Sequence, residues 1–252
     1  MMEQTDKIIE ILVNEGDKLF NAGKKEHSFT NNLQANELLN NYKEYPHAFV
    51  LGCIMDRQIH AKATWLIPFK FFNKLNTCEF SDLVALNEEE VIEIFKKESL
   101  HRFYNKMGKN FYFAIQKINK DYDKDASKIW DDKPQSAKIV RRFLEFEGVG
   151  QKIANMSANI LARDFKIPMT DYHSIDISLD RHVIRVFKRT GLVRKDAKNE
   201  EIIYRAREIK PEYPGVLDLP CFNIGQNWCK SNVNEIKCNE CLLGEYCHRI
   251  IN

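Results

Sequence analysis

The stretch FLEFEGVGQKIA, residues 143–154, decides the architecture. An apolar helical pattern runs into Gly148-Val149-Gly150, and a second helix starts at once. Two glycines one residue apart permit a tight hairpin and let bare backbone come close to a partner. The amides that open the second helix then point outward, which makes a site for a phosphate oxygen. Lys152 stands in that helix's first turn. By itself the motif describes an ordinary helical corner with a solvated lysine; its surroundings give it meaning.

Around it lie 252 residues, enough for one large domain or two small ones, and 44% hydrophobic content supports a proper core. Ten glycines, seven prolines and helical apolar spacing along most of the chain predict an all-α protein. The net charge of +2 does not announce nucleic-acid binding, so any basic surface must be local. The opening MMEQTDKIIEILVNEGDKL carries acidic residues and no apolar core, so no secretion signal is expected there. No run approaches the roughly 20 apolar residues that span a bilayer. Seven cysteines, five of them after residue 220, favour a metal over disulfides in such a chain.

Apolar spacing predicts helices over 6–20, 61–72, 88–97, 102–119 and 136–146, with a polar linker at 21–32. Residues 45–55, YPHAFVLGCIM, are apolar on nearly all sides, as a helix inside a bundle should be. Residues 168–177 read as one long irregular insertion. Ser178 and Asp180 then offer N-caps for a helix running to Arg189.

The last cysteines, Cys229, Cys238, Cys241 and Cys247, follow a C-x8-C-x2-C-x5-C pattern. Four thiolates in one short segment can wrap a cubane 4Fe–4S cluster. Tetrahedral zinc competes, although zinc modules tend to use two paired C-x2-C knuckles. Cys53, Cys78 and Cys221 fall outside the pattern and read as buried small hydrophobes.

Three of these features together resemble the endonuclease III-like helix-hairpin-helix family of DNA glycosylases. The hairpin is similar to that family's L-P-G-V-G-x-K, with Phe146-Glu147 in place of Leu-Pro. The cysteine run resembles its iron–sulfur loop, here with a longer first gap, and Ile224-Gly225-Gln226-Asn227-Trp228 resembles the approach to its first ligand. Asp180-Arg181-His182-Val183-Ile184-Arg185-Val186 resembles its V-D-x-H-V-x-R-V signature. The resemblance implies that Lys152 and Asp180 are catalytic. An aspartate there also caps a helix without catalysis, and both roles can hold. The chain between Lys152 and Asp180 is longer than in the family and includes Thr170-Asp171-Tyr172-His173; Asp171 and Asp176 are alternative acids.

On the 181–189 helix, Arg181, Arg185 and Lys188 share one face at i, i+4 and i+7. Beside a phosphate-binding hairpin such a stripe is expected to track DNA backbone. Gly148, Val149 and Gly150 would bind phosphate, and Gln58, assisted by Arg57, would fill the gap left by an extruded nucleotide. A plain helix-ending loop at 56–58 is the alternative.

The resemblance implies a six-helix barrel over 30–163, with the helix-hairpin-helix at 138–163, and a cluster domain formed by 1–29 and 164–252. It implies a monomeric base-excision glycosylase with AP lyase activity, acting on double-stranded DNA that carries a damaged or mismatched base. Lys152 would form a Schiff base, the cofactor would be a structural 4Fe–4S cluster, and the setting would be a prokaryotic cytoplasm at the nucleoid, with no membrane. The other readings are a monofunctional glycosylase and a non-catalytic DNA-binding module.

Overall fold

The computed structural model describes residues 2–24 and 26–251. Among them there is no strand and no helix long and apolar enough to cross a membrane, so the chain is all-α. The chain opens with α1, Met2–Asn21, which buries Ile8 and Leu12. After a non-helical stretch, Asn32 caps α2, Leu33–Asn40, by accepting from the Ala35 amide. Every one of the nine residues of α3, Pro46–Ile54, is buried, as its all-round apolar pattern requires.

The helix expected over 61–72 is instead two, α4 (Ala61–Trp65) and α5 (Ile67–Leu75), parted at Leu66. Pro68 has no N–H to return to the Thr64 carbonyl, which accepts from Leu66 instead. A short α6, Phe80–Val84, leads to α7, Glu88–Lys97. α7 carries a reciprocal Asn87–Glu90 capping box, glutamates in its first turn and lysines in its last, each matched to the helix dipole. Then come α8 (Tyr104–Asp121), α9 (Ser136–Leu144), α10 (Gln151–Arg163), α11 (Arg181–Arg189), α12 (Asn199–Ile209) and α13 (Asp218–Asn227). Apolar spacing alone does not announce α2, α6, α12 and α13. α12 shows why, since it buries only Ile202 and Ala206 and leaves a thin apolar stripe.

Two compact units result. One holds Lys24–Pro134 and Lys138–Ser157; the other holds the chain before Lys24, Gln135–Ala137 and the chain from Ala158 on. The boundary expected after residue 163 lies at the end of α10, whereas the units part inside that helix, after Ser157. The first unit is centred on Phe71, Phe95 and Phe111, all fully buried, with Phe71 and Phe111 ring centroids 4.6 Å apart. Each such ring contributes about 2 to 3 kcal/mol of burial.

In the second unit, α11 packs on α13 so closely that a Cβ on Gly225 would stand 2.7 Å from the His182 Cβ. A trio of Phe20, Tyr172 and Tyr213, with centroids 5.1–5.3 Å apart, anchors the irregular segment that precedes α11.

Candidate functional site

The turn between α9 and α10 is closed by the Val149 amide donating to the Phe146 carbonyl at 3.0 Å. Gly148 has φ +80°, and a Cβ there would run into Asn110 Nδ2 and stand 2.9 Å from Arg57 Nη1. Glycine is therefore required twice over, by backbone conformation and by packing. Gly150 meets the other condition: open space surrounds the point where its Cβ would lie, so a partner can approach its backbone. Phe146, in the place of the family's leucine, is buried and lies stacked on Tyr122 at 6.3 Å, so the substitution keeps the apolar anchor. Glu147 is exposed.

Lys152, in the first turn of α10, gives its ammonium to a carboxylate that by sequence is only part of a loop. Lys152 Nζ lies 2.7 Å from Asp56 Oδ2, with the lysine side chain 40% exposed and the aspartate 9% exposed. The next residue ties the same loop to the hairpin, because Arg57 Nη1 donates to the Gly148 carbonyl at 2.8 Å. His101 Nε2 in turn donates to the Arg57 carbonyl at 2.9 Å while its Nδ1 accepts from the Phe103 amide, which fixes the neutral Nε2–H tautomer. Arg57 thus faces the hairpin backbone instead of reaching outward beside Gln58. Gln58 itself is exposed, in the left-handed region at φ +54°.

The His101 bond brings a second loop to this place, one that apolar spacing does not reveal. A helix expected from 102 conceals it; α8 in fact begins at Tyr104, with Phe103 as its N-cap. Phe103 is 46% exposed, and the Arg102 guanidinium lies 4.7 Å from its ring centre. Met107 and Phe111 stand at helical spacing from Phe103 and Tyr104, which is why the R-F-Y run reads as the start of the helix and not as a loop.

In the second unit Asp180 caps α11, its Oδ1 accepting from the His182 and Val183 amides at 2.7 and 2.8 Å. No bond to Oδ2 is found among the described residues, so one carboxylate oxygen of a rigidly held group stays available. Ser178 is no cap; its amide donates to Asp218 Oδ1 at 2.6 Å and its hydroxyl to Oδ2 at 3.3 Å. The alternative acids are engaged: Asp176 takes both Nε and Nη2 of Arg207 at 2.8 Å, and Asp171 accepts from the Ser136 hydroxyl and lies 3.2 Å from His173 Nδ1.

The basic stripe divides. Arg185 turns inward, donating to the Cys229 carbonyl at 2.6 Å, the Gly225 carbonyl at 2.8 Å and the Arg181 carbonyl at 3.1 Å. It is a tie between α11 and the segment after α13, and it stays half-exposed. Arg181 is exposed and Lys188 half-exposed.

Asp218 is a half-buried acid of this unit, at the first position of α13. Burial, with Asp180 adding to it, pushes its carboxyl up from 3.8 to about 7, against the opposing pull of Ser178 and Arg163. The folded chain holds this proton more tightly than the unfolded chain. Its contribution to stability is therefore whole at low pH, falls as pH rises through about 4 to 7, and then levels off. Asp218→Asn, which mimics the protonated acid, should gain on the wild type by up to about 1.4 kcal/mol per pH unit across that interval. Thermal unfolding of both proteins at pH 5 and pH 8 reads the difference, and a constant gap would mean that Asp218 is ionised throughout.

The four C-terminal cysteines line one cavity, together with Val186, Thr190, Ile224, Trp228 and Leu243 among others. No three His, Cys, Asp or Glu side chains among the described residues converge closely enough to hold one metal ion, so the thiols surround a space instead of meeting at a point. Arg189 Nη1 points at Cys229 Sγ from 3.6 Å, and the Arg249 amide donates to Cys247 Sγ at 3.4 Å. Burial pushes the Cys241 and Cys247 thiols up, and the neighbouring cysteines add to it. Cys221 and Cys53 are buried as expected, whereas Cys78 is half-buried.

Compared with known families, residues 51–212 match the model of the HhH-GPD superfamily base excision DNA repair proteins, well over half of the chain. The chain belongs to that superfamily. The HhH-GPD match takes in Asp56, the hairpin, Lys152 and Asp180, and stops before the four cysteines. Among solved structures the fold is similar to a trapped endonuclease III–DNA covalent intermediate, at 21% identity and TM-score 0.61, covering 96% of this chain and 95% of that one. A non-covalent endonuclease III–DNA complex is similar at 22% identity and TM-score 0.60, with coverage of 96% and 95%. A thermostable thymine-DNA glycosylase is similar at 14% identity and TM-score 0.62, covering 97% of this chain and 95% of that one. No curated protein matches the sequence. These likenesses establish the endonuclease III-type HhH-GPD fold.

Proposed function

We propose that this base excision repair protein is a bifunctional DNA glycosylase, with Lys152 as the nucleophile and AP lyase activity following base removal. The observation that carries the reading is Lys152 itself: an amine in the first turn after G-V-G, partly exposed, and held by a buried carboxylate. Its partner is double-stranded DNA with a damaged or mismatched base. Such enzymes must take the base out of the stack. The hairpin amides of residues 148–150 bind a phosphate, Gln58 enters the duplex, and exposed Phe103 next to Arg102 forms an apolar wedge of the kind that parts base steps.

Lys152 attacks C1′ of the deoxyribose and the glycosidic bond breaks with its electron pair on the base; the resulting Schiff base allows elimination and strand nicking. Asp180 Oδ2 stabilises positive charge on the sugar. The first of the two units forms the barrel part and the second the cluster domain of a monomer at work on a prokaryotic nucleoid. The donor set fits a 4Fe–4S cluster: four thiols on one cavity, with a guanidinium and a backbone amide directed at two of the sulfurs. When bound, the cluster supplies cross-linking of a loop and takes no part in the chemistry of the sugar.

Duplexes that each carry one defined lesion test the reading, since base release together with nicking on at least one of them is required. Salt dependence tests the interface. Replacing Arg181 and Lys188 by glutamate should make the slope of log K against log salt less negative by about 0.9 for each phosphate that is no longer neutralised. Arg185→Ala should instead lower the thermal stability of the C-terminal unit, because its guanidinium joins Gly225 and Cys229 to α11. Unchanged slopes in the glutamate variants would remove α11 from the interface.

A further inference from the structure

The geometry points to Asp56 as the group that receives the Lys152 proton and aims its amine, a role that rests on the reading of Lys152 as nucleophile. An ammonium has no lone pair to attack with, so a proton must leave first, and the acceptor in contact with Nζ is Asp56 Oδ2 at 2.7 Å. The carboxylate stands on a fixed platform. It follows the fully buried α3, its own amide donates to the Cys53 carbonyl at 3.1 Å, and Arg57 beside it is bonded to the hairpin at Gly148. One loop therefore grips the hairpin at Gly148 and at Lys152, on either side of the turn.

Exposure is divided to suit the task. Asp56 is 9% exposed while Lys152 is 40% exposed, so the amine presents its open side to solvent and the carboxylate backs it. A substrate that covers this side strips water from the pair, and moving the proton within the pair then leaves two neutral groups where two charges stood. The other titratable neighbours are not placed to accept it. Burial pushes the Cys53 thiol up, and Arg57 and His101 give their donors to backbone carbonyls.

In this step Nζ passes one proton to Asp56 Oδ2, and its freed electron pair forms the Nζ–C1′ bond. The bond from C1′ to the departing group breaks, with its electron pair leaving on that group. The departing group is the base in an intact nucleotide or the hydroxyl of an abasic site, and it takes up a proton from solvent.

An abasic-site duplex separates this role from the identity of the lesion. Borohydride trapping rates are measured from pH 6 to 9 for wild type, Asp56→Asn, Asp56→Glu and Lys152→Gln. Binding to a duplex bearing a tetrahydrofuran abasic analogue reports that each variant is folded. The wild type should show a plateau, because its proton acceptor is internal. Asp56→Asn should bind normally but trap about a hundredfold more slowly at neutral pH, with a rate that climbs about tenfold per pH unit as bulk base takes over. Asp56→Glu should keep the plateau at a reduced rate. A wild-type rate and profile in Asp56→Asn would overturn the role of Asp56 while leaving Lys152 untouched. Should Asp56→Asn lose binding, Asp56→Glu decides, since a retained plateau supports the carboxylate and a steep climb overturns it. Trapping that survives in Lys152→Gln would overturn the nucleophile reading, and the role of Asp56 with it.

Discussion

Lys152→Gln is expected to leave no borohydride-trapped adduct and no strand nicking on any duplex, in a protein that still folds and still binds DNA. Glutamine preserves much of the side chain's length and can donate to Asp56, but its amide nitrogen has no available electron pair. The loss should therefore be one of chemistry, to below about a thousandth of the wild-type rate. The fold should survive because α10 is held by its buried face of Ile153, Ala154, Ile160 and Leu161, to which Lys152 does not belong. Loss of the ion pair with Asp56 costs about 1 kcal/mol or less, since the lysine end is well exposed to water. Asp180→Asn belongs in the same experiment. Asparagine caps a helix nearly as well as aspartate, so stability should hold while turnover falls; Asp180→Ala should lose about 1 kcal/mol of stability as well. Base release without trapping in the wild type would make the protein monofunctional, and binding without base release on any lesion would leave a DNA-binding module.

What was legible in the sequence was what short spacing encodes. The all-round apolar run 46–54 became a wholly buried α3, the G-V-G turn became a hairpin with Gly148 at positive φ, and Asp180 before H-V-x-R-V became an N-cap. What stayed hidden depends on contacts between distant residues. Asp56 and Lys152 are 96 positions apart, and nothing in D-R-Q announces a partner for the lysine. Arg185 shares a helical face with Arg181 and Lys188 by spacing, yet its partners Gly225 and Cys229 lie about forty residues downstream and draw it inward. Helical periodicity cannot tell a solvated stripe from a tethered one. The break at Leu66 was within reach, because Pro68 removes a donor from the first turn of α5.

If the four thiols hold the proposed 4Fe–4S cluster, the purified protein should be yellow-brown, and Cys238→Ala should abolish that colour and release the chain beyond α13. Of residues 229–251, only Leu243 and Gly244 are buried, and no α-helix forms there. One buried leucine stabilises by about 2 kcal/mol, whereas ordering the backbone costs about 1 kcal/mol or more for every residue fixed. Scattered turns, such as the Cys247 amide on the Leu243 carbonyl at 2.8 Å and the Ile250 amide on the Arg189 carbonyl at 3.0 Å, do not close that gap. The proposed cross-link through the four thiols would, because metal binding and folding of such a segment are one process. Removing Cys238 should thus open the segment as a unit, with limited proteolysis cutting after Asn227 while α1 to α13 stay protected. Cys221→Ala is the control: Cys221 is buried within α13 and is not part of the cavity wall, so the colour should persist. Iron and sulfide analysis of protein prepared without air decides the metal. About one zinc with no iron would replace the cluster with a zinc site, and a protein that contains neither metal yet resists proteolysis after Asn227 would show that the segment holds without any metal.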